Sequence, residues 1–168
     1  PPACCTGTGL KGDYFNNTAL TAPVVLSRTD ATVNFDWQYG SPAANLNTNA
    51  FSVRWTGQVQ PLFTQTYTFY TSSDDGARLW VNGVQLINQF VNQGTREWSG
   101  TIALTANVKY DIKLEYFEGG GGANCTLSWS SASTPKQIIP QTLLYPTGYT
   151  GTNANLITSI MEQVPAVN

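Results

Sequence analysis

Two adjacent carboxylates, Asp74 and Asp75, stand between an alternating apolar stretch and Gly76. Neighbouring negative charges repel at close range, and a hard cation removes that repulsion. Calcium suits such a site, because it takes about six to eight oxygen ligands from carboxylates, carbonyls and water. In a trans peptide adjacent side chains point apart; a cis peptide turns both to one side. The other reading of Ser72-Ser73-Asp74-Asp75-Gly76 is an ordinary turn, since Asp and Gly are turn residues. The EF-hand ligand spacing is absent. Glu118, beside the run Gly119-Gly120-Gly121-Gly122, is a further acid at a loop. The glycines are either a plain hairpin loop or a wall where a ligand and backbone carbonyls approach closely. A phosphate loop does not fit, because no helix signal follows and no Lys-Ser/Thr pair is present.

Five tryptophans offer flat surfaces suited to the apolar faces of sugar rings. Trp55, Trp80 and Trp129 lie within alternating strands and are expected to point inward. Trp37 and Trp98 border polar loops and are the candidates for exposed stacking surfaces.

Composition removes several classes of chemistry. The chain of 168 residues has no histidine, so the commonest general base and the usual zinc and copper ligands are missing. Eight Lys and Arg against ten Asp and Glu give a net charge of -2, which argues against nucleic acid. No apolar run approaches the roughly 20 residues of a membrane-spanning helix, so membrane insertion is not expected. Only 11% of residues are charged, so the surface must be built from Asn, Gln, Ser, Thr and Gly. The length suits one domain. The chain begins at Pro1 rather than Met, which fits a removed leader or a place in a larger multidomain chain.

Cys4, Cys5 and Cys125 are the cysteines. No CxxC spacing occurs, so zinc and redox motifs are weak readings. The favoured reading is a disulfide from one of the N-terminal pair, Cys5 or Cys4, to Cys125 on a late strand. Closing a loop of about 120 residues would stabilise by about 4–5 kcal/mol. Three free thiols are the alternative. A disulfide, the low charge and the Asn, Thr and Gly content fit a secreted or cell-surface protein.

Alternation places the elements. Strands are expected at Leu10 to Phe15, Val24 to Leu26, Val33 to Phe35, Phe51 to Gly57, Tyr67 to Thr71 and Ala77 to Val81. Asn82-Gly83 is a strong hairpin turn signal before Val84 to Ile87. Further strands are expected at Arg96 to Leu104, Val108 to Phe117, Thr126 to Ser130, Gln137 to Ile139 and Thr142 to Tyr145. About ten strands without convincing helices read as an all-β, antiparallel β-sandwich. Residues 1–8 form an N-terminal segment, 9–146 the sandwich and 147–168 a linker or tail. Asn155 to Val164 has the spacing of one short helix.

Several runs together resemble the PA-fourteen domain family. They are Val53-Arg54-Trp55-Thr56-Gly57, Tyr67-Thr68-Phe69 and Ser73-Asp74-Asp75-Gly76-Ala77-Arg78-Leu79-Trp80-Val81-Asn82-Gly83. The opening Gly9-Leu10-Lys11-Gly12-Asp13-Tyr14-Phe15, then Leu114-Glu115-Tyr116-Phe117-Glu118, and the closing Ile139 to Pro146 fit as well. The resemblance implies a β-sandwich found in secreted glycosidases, adhesins and toxins. It also implies that Asp74 and Asp75, joined by a cis peptide, hold a calcium that coordinates vicinal hydroxyls of a sugar. The loop from Glu118 to Asn124 then supplies further ligands and selectivity. Glu118 stands where the fungal adhesins carry an Asn ligand, and carbonyls of Gly120 and Gly122 would complete the metal set. Gly119, Gly121, Asn124, Trp37 and Trp98 would border the sugar.

The reading is a calcium-dependent carbohydrate-binding module of lectin or adhesin type. The alternative is a non-catalytic accessory or structural module of a secreted glycosidase or surface protein, without its own sugar site. An enzyme is not expected. A glycosidase needs two carboxylates about 5–10 Å apart across a cleft, and acids on a cation are poor proton donors.

Overall fold

Alternating apolar and polar side chains oblige each strand to bury one face, and two sheets closed over those faces satisfy them all. The computed structural model describes residues 4–151. Among these the strands are β1 (Leu10–Phe15), β2 (Leu26–Asp30), β3 (Asn34–Gln38), β4 (Phe51–Val59), β5 (Gln65–Asp74) and β6 (Ala77–Val81). They continue as β7 (Val84–Gln89), β8 (Arg96–Leu104), β9 (Tyr110–Glu118), β10 (Ala123–Ser131), β11 (Thr134–Ile138) and β12 (Leu144–Tyr145). The first sheet runs β2-β1-β4-β9-β6-β7, with β12 also on β4. The second runs β11-β10-β5-β8, with β3 also on β10. All pairings are antiparallel. The all-β sandwich expected from alternation is the fold observed.

The core is aromatic. Trp55, Trp129, Tyr14, Tyr67, Tyr116, Phe51 and Phe69 are fully buried between the sheets. Asp30 is buried among them and ties three elements together. It accepts from Tyr14 Oη, from Trp55 Nε1 at 2.8 Å and from Arg28 Nε at 2.7 Å. On the outer face of the first sheet, buried Glu115 accepts from Arg54 and Arg78 on the two flanking strands at 2.7 and 2.8 Å. Burial alone would raise the Glu115 carboxyl, but the two guanidiniums hold it below its ordinary range. The Asn82-Gly83 turn takes positive φ at both residues, 51° and 74°, as a two-residue hairpin requires.

Several boundaries move. Leu26–Asp30 and Asn34–Gln38 pair only at sheet edges and keep exposed polar faces, so their apolar pattern is too weak to fix their limits. The last closing segment is a single 3-10 turn at Gln141–Leu143 followed by a two-residue strand. The helix expected at 155–164 lies outside the described residues.

The Cys5–Cys125 disulfide is not present. Cys4 and Cys5 are joined to each other, and Cys125 is a free, fully buried thiol. The reason is positional. The N-terminal segment is tied by Gly7 N to Thr142 O and by Gly9 N to Leu144 O, beside the Val59 end of β4. Cys125 pairs with Phe35 and Ser73 near the other end of the sandwich. Burial pushes its thiol up, away from the reactive thiolate.

Candidate functional site

The site forms where the chain passes from one sheet to the other. β5 of the second sheet ends at Asp74, and β6 of the first begins at Ala77. Only Asp75 and Gly76 bridge them, and the Asp74–Asp75 peptide is cis. Gly76 has no room for a side chain: a Cβ there would lie 2.5 Å from Val91 N and 2.6 Å from the Phe117 ring. The crossing is therefore tight, and both carboxylates stay at one end of the sandwich.

Asp75 is buried and fastened on every side. Its Oδ1 accepts from Gln93 N at 2.9 Å, and its Oδ2 accepts from Gly119 N at 2.8 Å. Ser73 Oγ and Gln93 Nε2 donate to its carbonyl at 2.7 and 3.1 Å. Tyr116 Oη donates to the Asp74 carbonyl at 2.6 Å. Glu118, the last residue of β9, is 0% exposed, and neither of its carboxylate oxygens has a hydrogen-bond partner. One oxygen from each of Asp74, Asp75 and Glu118 lies within 4.8 Å of the others. Among the described residues, no Lys or Arg is ion-paired with any of the three.

Three carboxylates converge without a counter-charge, and their protonation reflects it. Burial and then Asp75 raise the Asp74 carboxyl above its ordinary range. Glu118 is pushed up to about 7, first by burial and then by Asp75 and Asp74. The Gly120 N–H opposes this without closing a hydrogen bond. Orphaned buried oxygens are costly, and an all-oxygen donor set suits a hard cation. The residues present fit calcium.

A pH dependence follows. Folded Glu118 holds its proton more tightly than the unfolded chain, whose carboxyl titrates near 4.5. Between 4.5 and about 7 the folded state binds more protons, so stability falls as pH rises across that window. Without metal, this group is expected to lower stability by up to about 3 kcal/mol over the window. Urea denaturation in metal-depleted buffer at a series of pH values measures it, and a flat or rising profile contradicts it.

The other expected residues are placed unevenly. Gly119 belongs to the site: its N–H holds Asp75, and a Cβ there would sit 3.3 Å from Asp75 Oδ2. Gly120, Gly121 and Gly122 border open space. Gly121 N donates to Asn49 Oδ1 at 3.1 Å, which links the glycine loop to the β3–β4 loop. Asn124 pairs across strands with Asp74, and its Nδ2 donates to Thr95 Oγ1 at 2.7 Å. Trp37 and Trp98 are not the exposed surfaces expected; both are half-buried. Trp37 stacks on Phe35 at 4.8 Å and meets Phe51 edge-on, because its strand lies over the aromatic core. Trp98 Nε1 donates to Gln93 Oε1 at 3.1 Å, behind Asp75.

Gln93 and Tyr116 were missed by sequence reasoning. Gln93 sits in a polar loop with no periodic signal. Tyr116 had one: it falls on the inward phase of β9, and a buried tyrosine hydroxyl must find a partner.

This fold recurs in known proteins. The PA14 domain family model matches residues 7–143. Anti-sigma-I factor RsgI3 of Acetivibrio thermocellus is 47% identical over 141 residues, which are 84% of this chain and 22% of that protein. The chain thus spans about a fifth of that relative's length. The structure of an anti-sigma factor domain-containing protein from Clostridium clariflavum superposes with a TM-score of 0.80 at 44% identity, covering 84% of this chain and 48% of that one. A PA14 sugar-binding domain from an RTX adhesin superposes at 0.72 with 18% identity, covering 84% of this chain and 99% of that one. At that identity the likeness speaks to the fold alone. With the family model covering most of its length, this chain belongs to the PA14 domain family.

Proposed function

We propose that this PA14 domain is a calcium-dependent carbohydrate-binding module. The observation that carries the reading is Glu118: a fully buried carboxylate with both oxygens unpartnered, facing Asp74 and Asp75. Asp74, Asp75 and Glu118 would hold the ion. Bound calcium supplies a Lewis-acidic centre for two vicinal hydroxyls of a terminal sugar. The chain's own groups do the positioning. Gln93 N and Gly119 N orient the Asp75 carboxylate. Tyr116 fixes the Asp74 backbone. Carboxylate lone pairs left over accept from sugar hydroxyls. The side-chain-free run at Gly120 to Gly122 leaves the approach open.

No catalytic role is assigned, because carboxylates holding a cation are poor general acids. We place the domain outside the cell or at its surface, where sugars are met. RsgI3 is named as an anti-sigma factor; within a protein of that kind, sugar capture would be the input to regulation. Among the described residues no helix is long and apolar enough to cross a membrane.

Calorimetric titration of the metal-depleted chain with calcium tests the metal half of this reading. One ion per chain is expected, and Glu118→Gln should weaken binding by about tenfold or more. No heat at millimolar calcium contradicts it.

A further inference from the structure

Trp80 breaks the inward expectation. In β6, Ala77, Leu79 and Val81 are buried, so Arg78 and Trp80 face outward from the first sheet. Trp80 pairs across strands with Lys113, whose Nζ lies 4.2 Å from the indole centroid. Asp111 shares that outer face of β9. The segment after β12 folds back over it. Gly148, at φ 86°, packs against Gln58, and Thr150 N and Oγ1 donate to Asp111 Oδ2 at 3.1 and 2.8 Å. Between sheet and returning segment lies a cavity of about 240 Å³, lined by Trp80, Gly83, Asp111, Lys113, Tyr149 and Gly151.

The polar groups of this cavity have capacity to spare. Glu115, the nearest buried acid on β9, is taken by Arg54 and Arg78. Among the described residues Lys113 has no ion-pair partner. Among the described residues Asp111 Oδ1 has only a long contact, 3.4 Å from Gln58 Nε2. A carboxylate offers about four acceptor positions and a Lys three donors. Two aromatic side chains, one spare acceptor and one spare donor therefore meet in a small cleft. Its volume lies just below the roughly 300–1,000 Å³ of most ligand sites, so it suits one ring rather than a long chain. A carboxylate beside an ammonium leaves no net charge, which favours a neutral ligand.

We propose that this cleft is a second, metal-independent carbohydrate site that takes one neutral sugar ring. The ring's C–H face rests on Trp80 in place of the Lys113 ammonium that lies over the indole, and its hydroxyls bond to Asp111 and to the displaced Lys113. Along β9, Asp111 is seven residues from Glu118, roughly 23 Å in an extended strand, so one sugar cannot fill both sites. The inference stands whether or not the carboxylate cluster holds calcium. Two sites on one domain would raise avidity for a polysaccharide without any new contact.

The test uses the whole 168-residue chain in chelator. Affinity electrophoresis is run through soluble neutral polysaccharides (a mixed-linkage glucan, a xyloglucan, a galactomannan) and through alginate as an acidic control. At least one neutral polysaccharide is expected to retard the chain. Trp80→Ala should weaken this roughly tenfold. The indole N–H signals of the five tryptophans give a second readout on the unaltered protein. The Trp80 signal, assigned by its loss in Trp80→Phe, should shift as the bound polysaccharide's oligosaccharide is added. Absence of retardation by all neutral polysaccharides overturns the proposal, as does binding to alginate alone. Binding with the Trp80 signal unmoved overturns it too. So does a Trp80 signal that moves only on deletion after residue 151, since the chain's own C-terminal segment would then fill the cleft.

Discussion

Asp75→Ala is expected to abolish calcium-dependent sugar binding and to weaken calcium itself by about 10–100-fold. The carboxylate does two jobs. It is one of three acids with oxygens within 4.8 Å of each other, and it receives the backbone N–H groups of Gln93 and Gly119. Removing it lowers the charge of the site and releases two loops that border it. The fold should survive. The core strands keep their pairing, and one of three mutually repelling carboxylates is gone, which offsets part of the lost hydrogen bonding. Asp75→Asn should fall between, because it keeps an acceptor oxygen and loses the charge. Calcium calorimetry with a thermal melt on each variant measures both quantities. Unchanged calcium affinity in a folded Asp75→Ala contradicts the assignment.

The largest effect on stability is expected at Asp30. Asp30→Ala removes the common acceptor of Tyr14 Oη, Trp55 Nε1 and Arg28 Nε. The tyrosine and tryptophan are fully buried, and each orphaned donor costs about 1–3 kcal/mol. Arg28 is one-third exposed, so water recovers part of its loss and it adds less. The sum is about 3–5 kcal/mol, or a melting shift of roughly 6–20 °C for a domain of this size. Asp30→Asn should cost less, because one oxygen still accepts. Urea denaturation gives the difference directly. A loss under about 1 kcal/mol means that the surrounding groups find other partners.

Much of this was legible in the sequence, for reasons that can be named. Strands such as Ala77–Val81 and Arg96–Leu104 were placed to the residue, since alternation marks a strand with one face turned inward. The Asp74-Asp75 pair and Glu118 were singled out because acids are scarce in this chain: only ten Asp and Glu occur. Their convergence was not readable from spacing. It depends on β5 and β9 lying in different sheets and ending on the same side. Trp80 was misassigned because alternation gives the period of a strand and not its phase. Gly76 fixes that phase by forcing the tight crossing between sheets, and Ala77 then turns inward. The cysteine pairing failed for a similar reason, since which end of the sandwich receives the N-terminal segment is a property of topology.

The most direct test of the central claim is a glycan array probed with the whole chain in calcium and again in chelator. The account predicts binding to a class of terminal sugars with vicinal hydroxyls, present in calcium and lost in chelator. A folded chain whose array binding is the same with and without calcium, or that binds nothing in calcium, contradicts it.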